Sequence, residues 1–225
     1  MIDQRIIPFG KLRPTPRLRA FRSTTMGPAF GAVPDISWIP QVVVGDDQGR
    51  EGACVLFTYM EWSRIMFPVL DPGPMWDRSN AACLSLYIET CSELGRGDEG
   101  LTFEEGFWAA QNAGWLPGRR SIVQVDDLAF LAEQPLLAGY RVTGAIDNVG
   151  PHGCLDHAAP LTPVRGLHAM PIVAYGRVEV DSATLRRVIC LNHWKIGQKL
   201  WGWNGLCMMD ETLHHILLSE LWRVI

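Results

Sequence analysis

A thiol, an imidazole and two carboxamides occur along this chain in settings that suit attack on a carbonyl carbon. Cys54 closes the segment Gln48-Gly49-Arg50-Glu51-Gly52-Ala53-Cys54, where a glycine-bearing loop meets a mostly apolar run that continues to Met66. The run predicts a helix of about three turns, and Pro68 bars its continuation because proline lacks the amide donor and crowds the preceding turn. A thiol at a helix N-terminus meets unsatisfied N–H groups and the positive end of the helix dipole. That setting predicts a lowered thiol pKa and more reactive thiolate. Gly49 and Gly52 allow tight bends, so a substrate carbonyl can approach the Cys54 amide. A lone cysteine before an apolar run is more often a small buried core residue, so partners elsewhere must carry the case. A cysteine nucleophile needs a base, and the base needs a group to hold it. His168 heads a predicted strand, and Asn192 ends the next, within Leu191-Asn192-His193-Trp194. Adjacent antiparallel strands can bring two such side chains together.

The elements that would position these groups fall into two textures. Before about residue 117 the chain reads helical. Leu84, Tyr87, Ile88, Cys91 and Leu94 recur at helical spacing between Asn80 and Leu94, and Gly95 to Gly100 forms a loop. Thr102-Phe103-Glu104-Glu105 matches a capping box that opens a further helix through Phe107, Trp108 and Ala110 towards Gly114. Val42 to Val44 reads as a short strand, and Asp71-Pro72-Gly73-Pro74 as a turn. From Pro117 onward β-branched and alternating segments take over. Strands are expected over Ser121 to Val125, Tyr140 to Ile146, His168 to Tyr175, Arg187 to Leu191 and Leu206 to Met209. A short helix is expected over Asp126 to Glu133, a long loop over Asn148 to Gly166, and a turn at Trp201 to Gly205. The fold class expected is α+β, with a helical lobe at 34–116, a β-rich lobe at 117–225 and the site between them. Residues 1–33 form a basic, proline-bearing arm in which Arg5, Lys11, Arg13, Arg17, Arg19 and Arg22 face only Asp3. It reads as an extended strap on the surface, or as a cover for the cleft.

Composition bounds the class. The chain has 225 residues, 48% hydrophobic and 20% charged, which fits a globular protein with one large core or two lobes. A formal charge of −4 argues against a nucleic-acid surface on the scale of the whole chain. No apolar run approaches the roughly 20 residues of a membrane span, and the start shows no Sec-type signal pattern. A cytoplasmic protein, or one exported without a visible Sec signal peptide, is expected. The six cysteines show no repeated Cys-x-x-Cys. A free Cys54 in a reducing compartment is therefore expected.

Together these segments resemble the papain-like cysteine peptidases, in particular compact bacterial members. Gln48 to Cys54 is similar to the family's oxyanion-glutamine and nucleophile segment. His168-Ala169-Met170-Pro171-Ile172-Val173-Ala174-Tyr175-Gly176 resembles its histidine strand. Asn192-His193-Trp194 resembles its Asn-Ser-Trp, and Trp201-Gly202-Trp203-Asn204-Gly205 its Trp-Gly-Glu-Asn-Gly. The resemblance spans roughly residues 34 to 210. It implies a Cys54 thiolate paired with a His168 imidazolium, Asn192 orienting His168, and Trp194 sheltering that bond. It also implies an oxyanion hole made by Gln48 and the Cys54 amide. Gly97, Gly100 and Leu167 are the nearest candidates for lining the substrate. A protein or peptide substrate, cleaved through a thioester, is the expected partner, and no cofactor or metal is expected. Deamidation or acyl transfer through the same thioester, or a catalytically silent binding module, are the alternatives.

The departures from the pattern are specific. His168 follows Cys54 by 114 residues (168 − 54) and Asn192 follows it by 138 (192 − 54). The first gap is short for the family, which points to a trimmed inter-lobe region and a longer hairpin between His and Asn. Glu51 stands where secreted relatives place a disulfide cysteine, Val55 replaces the usual Trp, and His193 and Lys195 replace Ser and Gly around Trp194. His157, in Asp156-His157-Ala158-Ala159, competes for the role of base, but Pro160 and Pro163 spoil a central strand there. His152, Cys154 and His157 lack an obvious fourth ligand for zinc and read as a solvated loop. His214 and His215 read as a surface feature, and Trp62, Trp108, Trp201 and Trp222 as core.

Overall fold

A computed structural model describes residues 36–39, 46–49, 51–68, 77–147, 149, 153–155, 161, 163–180, 183–196 and 199–225. The basic arm, the strand expected at Val42 to Val44, the Asp71 to Pro74 turn, His152 and His157 lie outside the described residues.

The apolar run after the glycine loop forms α1 (Cys54–Met66). It is buried on nearly every side, because neighbours pack against its whole circumference rather than one stripe. Phe67 caps it, its N–H donating to Ser63 O, just before Pro68. The Arg78 guanidinium donates to Ser63 O at 2.7 Å and Phe67 O at 3.1 Å, placing positive charge at the negative end of the helix. The fully buried Glu61 has Arg64 at 3.3 Å, and Arg64 also pairs with Asp46.

Ser79 caps α2 (Asn80–Glu93), accepting from Ala82 N–H. Its buried stripe is Cys83, Tyr87, Thr90 and Cys91. This differs from the expected face: Ile88 is 60% exposed and Leu94 39%. The stripe is set by Tyr87, whose hydroxyl finds polar partners inside while Ile88, one residue on, turns to solvent. Both bonds of the Thr102 capping box form at the start of α3 (Phe103–Asn112). Gly106 is where α3 meets α1, since a Cβ there would lie 2.3 Å from Val55 Cγ1.

The strands are β1 (Ile36–Ser37), β2 (Ile122–Gln124), β3 (Leu136–Val142), β4 (Gly166–Val180), β5 (Ala183–Leu191), β6 (Lys195–Ile196), β7 (Lys199–Leu200), β8 (Leu206–Asp210) and β9 (Leu218–Val224). The main sheet runs β2-β9-β3-β4-β5-β8 with antiparallel pairing, and β1 adds to β4 at Ala174 and Tyr175. A 3₁₀ turn over Leu128–Ala132, capped by Asp127, occupies the expected short helix. The strand expected from Tyr140 begins at Leu136 instead. It stops at Val142, where Thr143 accepts from Ala145 and Ile146 N–H and opens α4 (Gly144–Asp147). Pro171 lies inside β4, and the register against β5 shifts just beyond it, between Ile172 and Ala174. A proline within a central strand is thus accommodated at an irregularity. After β8, α5 (Glu211–Leu217) leads into β9, which returns beside β3.

Successive residues of the central strands serve different cores. Leu137 and Ala169 pack with α1, α2 and α3, whereas Ala138 and Met170 pack with Trp194, Trp201 and α5. The result is α+β, with helices first and an antiparallel sheet after them. Two expectations change. His214 is buried with its Nδ1 3.0 Å from the Tyr140 hydroxyl, while Trp108 is 50% exposed.

Candidate active site

Cys54 is the first residue of α1 and is fully buried. No side chain caps this helix start, and Ala53 holds the N-cap position. Backbone hydrogen bonding from Ala169, Val55 and Cys54 itself favours the thiolate, yet burial outweighs it and pushes the thiol up to about 11. This corrects the expectation of a lowered pKa: the helix end alone does not offset desolvation. None of the six cysteines is in a disulfide.

Ala169 follows His168 in β4, so the strand that meets the thiol also carries the imidazole. His168 Nε2 donates to Asn192 Oδ1 at 2.9 Å. A carboxamide oxygen only accepts, so Nε2 bears the hydrogen and Nδ1 of the neutral ring has the lone pair. Burial lowers the His168 pKa to about 4, partly opposed by the Asn192 bond. The Trp194 ring lies 4.1 Å from the His168 ring, centroid to centroid, and Trp201 meets Trp194 edge-on at 6.0 Å. These apolar faces exclude water from the bond, which strengthens it.

The turn at Trp201 to Gly205 holds Asn192 in place. Asn192 N–H donates to Gly205 O at 2.7 Å, and Gly205 N–H to Trp201 O at 3.1 Å. Gly202, Asn204 and Gly205 all adopt positive φ. A Cβ on Gly202 would lie 2.4 Å from Leu206 O, so only glycine fits that corner.

Gln48 is buried beside this group. Its backbone N–H donates to His193 O at 3.0 Å, and its Nε2 donates to Glu51 O at 2.9 Å. A carboxamide nitrogen has two hydrogens, so one fixes the side chain and the other is left for an acceptor. The remaining sequence candidates lie on the loop between α2 and α3 and near the start of β4. Gly97 is exposed, Gly100 donates to the Tyr87 hydroxyl at 3.2 Å, and Leu167 packs partly buried against the cluster that contains Cys54.

Two further residues beside the site, His193 and Asp98, were given no role in the sequence reading. His193 is buried against Phe57, with ring centroids 5.2 Å apart. Burial first, then the His168 and Arg64 charges, lowers its pKa to about 3. Asp98 Oδ1 accepts from Gly52 N–H at 2.6 Å and from the Tyr87 hydroxyl. An acid among the glycines of the Gly95 to Gly100 loop was the available signal for Asp98. Among the described residues, no cluster of His, Cys, Asp and Glu could hold a metal ion.

No protein-family model matches the chain, and no curated protein matches it as a relative. Solved structures do. Xylellain, a cysteine protease from Xylella fastidiosa, aligns at 18% identity over 96% of this chain and 95% of its own, with a TM-score of 0.59. The proform of Amb a 11, a ragweed pollen cysteine protease and allergen, aligns at 15% identity over 98% and 76%, with a TM-score of 0.62. Procathepsin L2 from the larval midgut of Tenebrio molitor aligns at 16% identity over 100% and 76%, with a TM-score of 0.57. The helices before the antiparallel sheet, and the likeness of both to these structures, establish a papain-like cysteine protease fold for this chain.

Proposed function

We propose that this protein is a cysteine peptidase that hydrolyses peptide or protein amides through a Cys54 thioester. The observation that carries the reading is the His168–Asn192 hydrogen bond, covered by Trp194, on the strand whose next residue contacts the Cys54 thiol. In this reading His168 Nδ1 takes the Cys54 proton as the sulfur attacks the substrate carbonyl carbon. The second N–H of Gln48 Nε2 and the Cys54 backbone N–H donate hydrogen bonds to the developing oxyanion. Such a donor commonly contributes about 3 kcal/mol to transition-state stabilisation. As the carbonyl re-forms, the C–N bond breaks and His168 returns its proton to the leaving amine. Water, deprotonated by His168, then cleaves the thioester and restores the thiol.

Burial favours the uncharged form of each group, pushing the Cys54 thiol up to about 11 and the His168 imidazole down to about 4. In this reading the charges on sulfur and imidazole arise as the thiol attacks the carbonyl carbon.

The test is labelling by an E-64-type epoxide, mapped by mass spectrometry, with Cys54→Ala and His168→Ala alongside. Modification at Cys54 that disappears with His168→Ala supports the reading. Folded protein whose Cys54 reacts with simple thiol reagents but not the epoxide contradicts it. That result favours the second reading, a catalytically silent papain-fold binding module, which the complete burial of Cys54 also suits. Ammonia release from glutamine side chains without chain cleavage would redirect the assignment to a deamidase.

A further inference from the structure

The loop that leads to Cys54 is tied to the rest of the molecule at two points. At its start, Gln48 N–H donates to His193 O at 3.0 Å. Just before the helix, Gly52 N–H donates to Asp98 Oδ1 at 2.6 Å, across 46 positions of sequence. The same oxygen accepts from the Tyr87 hydroxyl, and that hydroxyl accepts from Gly100 N–H at 3.2 Å. Tyr87 is itself buried in α2 and packs in the core with Cys54 and Phe103. Gly52, Asp98, Tyr87 and Gly100 therefore form a continuous hydrogen-bonded clamp between the loop before Cys54 and the loop joining α2 to α3.

We infer that Asp98 is a positioning residue for the reaction proposed above: it holds Gly52, and through it the Cys54 amide and thiol, in register with Gln48 and His168. The inference rests on the peptidase reading for its catalytic consequence. The sign of the electrostatics supports a mechanical role. The Asp98 charge opposes ionisation of the nearby Cys54 thiol, so the carboxylate does not activate the nucleophile by its field. What it supplies is geometry. Its oxygen accepts two directed hydrogen bonds, one from a backbone amide two residues before the nucleophile and one from a rigid aromatic side chain. A reacting group displaced by about 1 Å can cost on the order of 100-fold in rate, so a hold on this loop acts on the chemical step more than on binding.

The acceptor and the charge are separable. Asp98→Asn keeps an oxygen able to accept from Gly52 N–H and Tyr87, and removes the charge. Asp98→Ala removes both. Tyr87→Phe leaves the carboxylate without its inner anchor. In the full chain, two readouts are taken: inactivation by an E-64-type epoxide, resolved into kinact and KI, and hydrogen exchange of the Gly52 amide by NMR. Asp98→Ala is expected to lower kinact by about 10- to 100-fold with KI nearly unchanged, and to speed Gly52 exchange. Asp98→Asn is expected to restore both, with Tyr87→Phe in between. The inference is overturned if Asp98→Ala keeps slow Gly52 exchange, or loses it while kinact stays at the wild-type value. It is equally overturned if Asp98→Asn is as impaired as Asp98→Ala. Should Asp98→Ala fail to fold, the Asn and Phe variants carry the same comparison. A wild-type chain that the epoxide does not inactivate sinks the peptidase reading and the catalytic half of this one, while Gly52 exchange still decides whether the clamp exists.

Discussion

The orientation of a single carboxamide decides which nitrogen of His168 can act as base. With Nε2 committed to Asn192 Oδ1, Nδ1 is the nitrogen that keeps a lone pair. Asn192→Ala removes the acceptor and leaves a buried N–H without one, a cost of roughly 1–3 kcal/mol. Epoxide inactivation is expected to slow by about 10- to 100-fold, with the fold intact by circular dichroism. The pH profile follows from the direction of the His168 shift. Its folded pKa is lowered from 6.5 to about 4, so the ring stays neutral and able to accept a proton until the pH falls through about 4. Inactivation rates are therefore expected to persist well below pH 6.5 and to fall near pH 4. An acid limb centred near 6.5 would show that His168 is solvated in solution. The residue types at these positions were legible in the sequence, but their protonation was not. Burial, which no spacing reveals, pushes the Cys54 thiol up where the helix end alone would lower it.

At the scale of elements, packing between helices leads to a further prediction. Gly106 lets α3 lie against α1, and a Cβ there would meet Val55 Cγ1 at 2.3 Å and Tyr59 at 3.3 Å. Gly106→Ala is expected to lower stability by about 1–3 kcal/mol through overpacking, read as a drop in the denaturant midpoint. Thr102→Ala breaks the side-chain half of the capping box and should cost about 1 kcal/mol. The box could be read from the sequence because capping is local: Thr102 and Glu105 need only each other and their own backbone. The stripe of α2 could not. Leu84, Ile88 and Leu94 carry the same apolar signal as Cys83 and Cys91, and only the polar anchors of the Tyr87 hydroxyl select the face that turns inward. Strand ends were displaced for a related reason. β3 begins at Leu136 because pairing with Ile172 of β4 recruits it, not because that residue begins a local pattern.

Among the described residues three histidines are buried, and this predicts how stability depends on pH. His168, His193 and His214 have pKa values lowered from 6.5 to about 4, 3 and 3, in each case mainly by desolvation. Each is a base whose folded pKa lies below its unfolded one, so the unfolded chain binds protons that the folded chain refuses. Their contribution is complete above about pH 6.5 and is lost as the pH falls towards 4 and 3. Where all three are protonated in the unfolded chain only, the slope reaches about 4 kcal/mol per pH unit. Unfolding by denaturant at pH 7, 6 and 5 should show a midpoint that falls increasingly steeply. A flat response would mean that these rings are hydrated in solution.

The sequence by itself determined what depends on short range. The glycine loop before Cys54, the stop at Pro68, the Thr102 box and the turn at Trp201 to Gly205 all follow from neighbouring residues and backbone sterics. So did the order of helices before sheet. The tertiary structure alone decided what depends on contacts across the chain. It brought the Asn192 oxygen to His168, buried His193 and His214, and carried Asp98 to the Gly52 amide. Hydrogen bonds and desolvation act at a few ångströms in space, and the separation of two residues along the chain says little about that distance until the sheet has paired and the helices have packed.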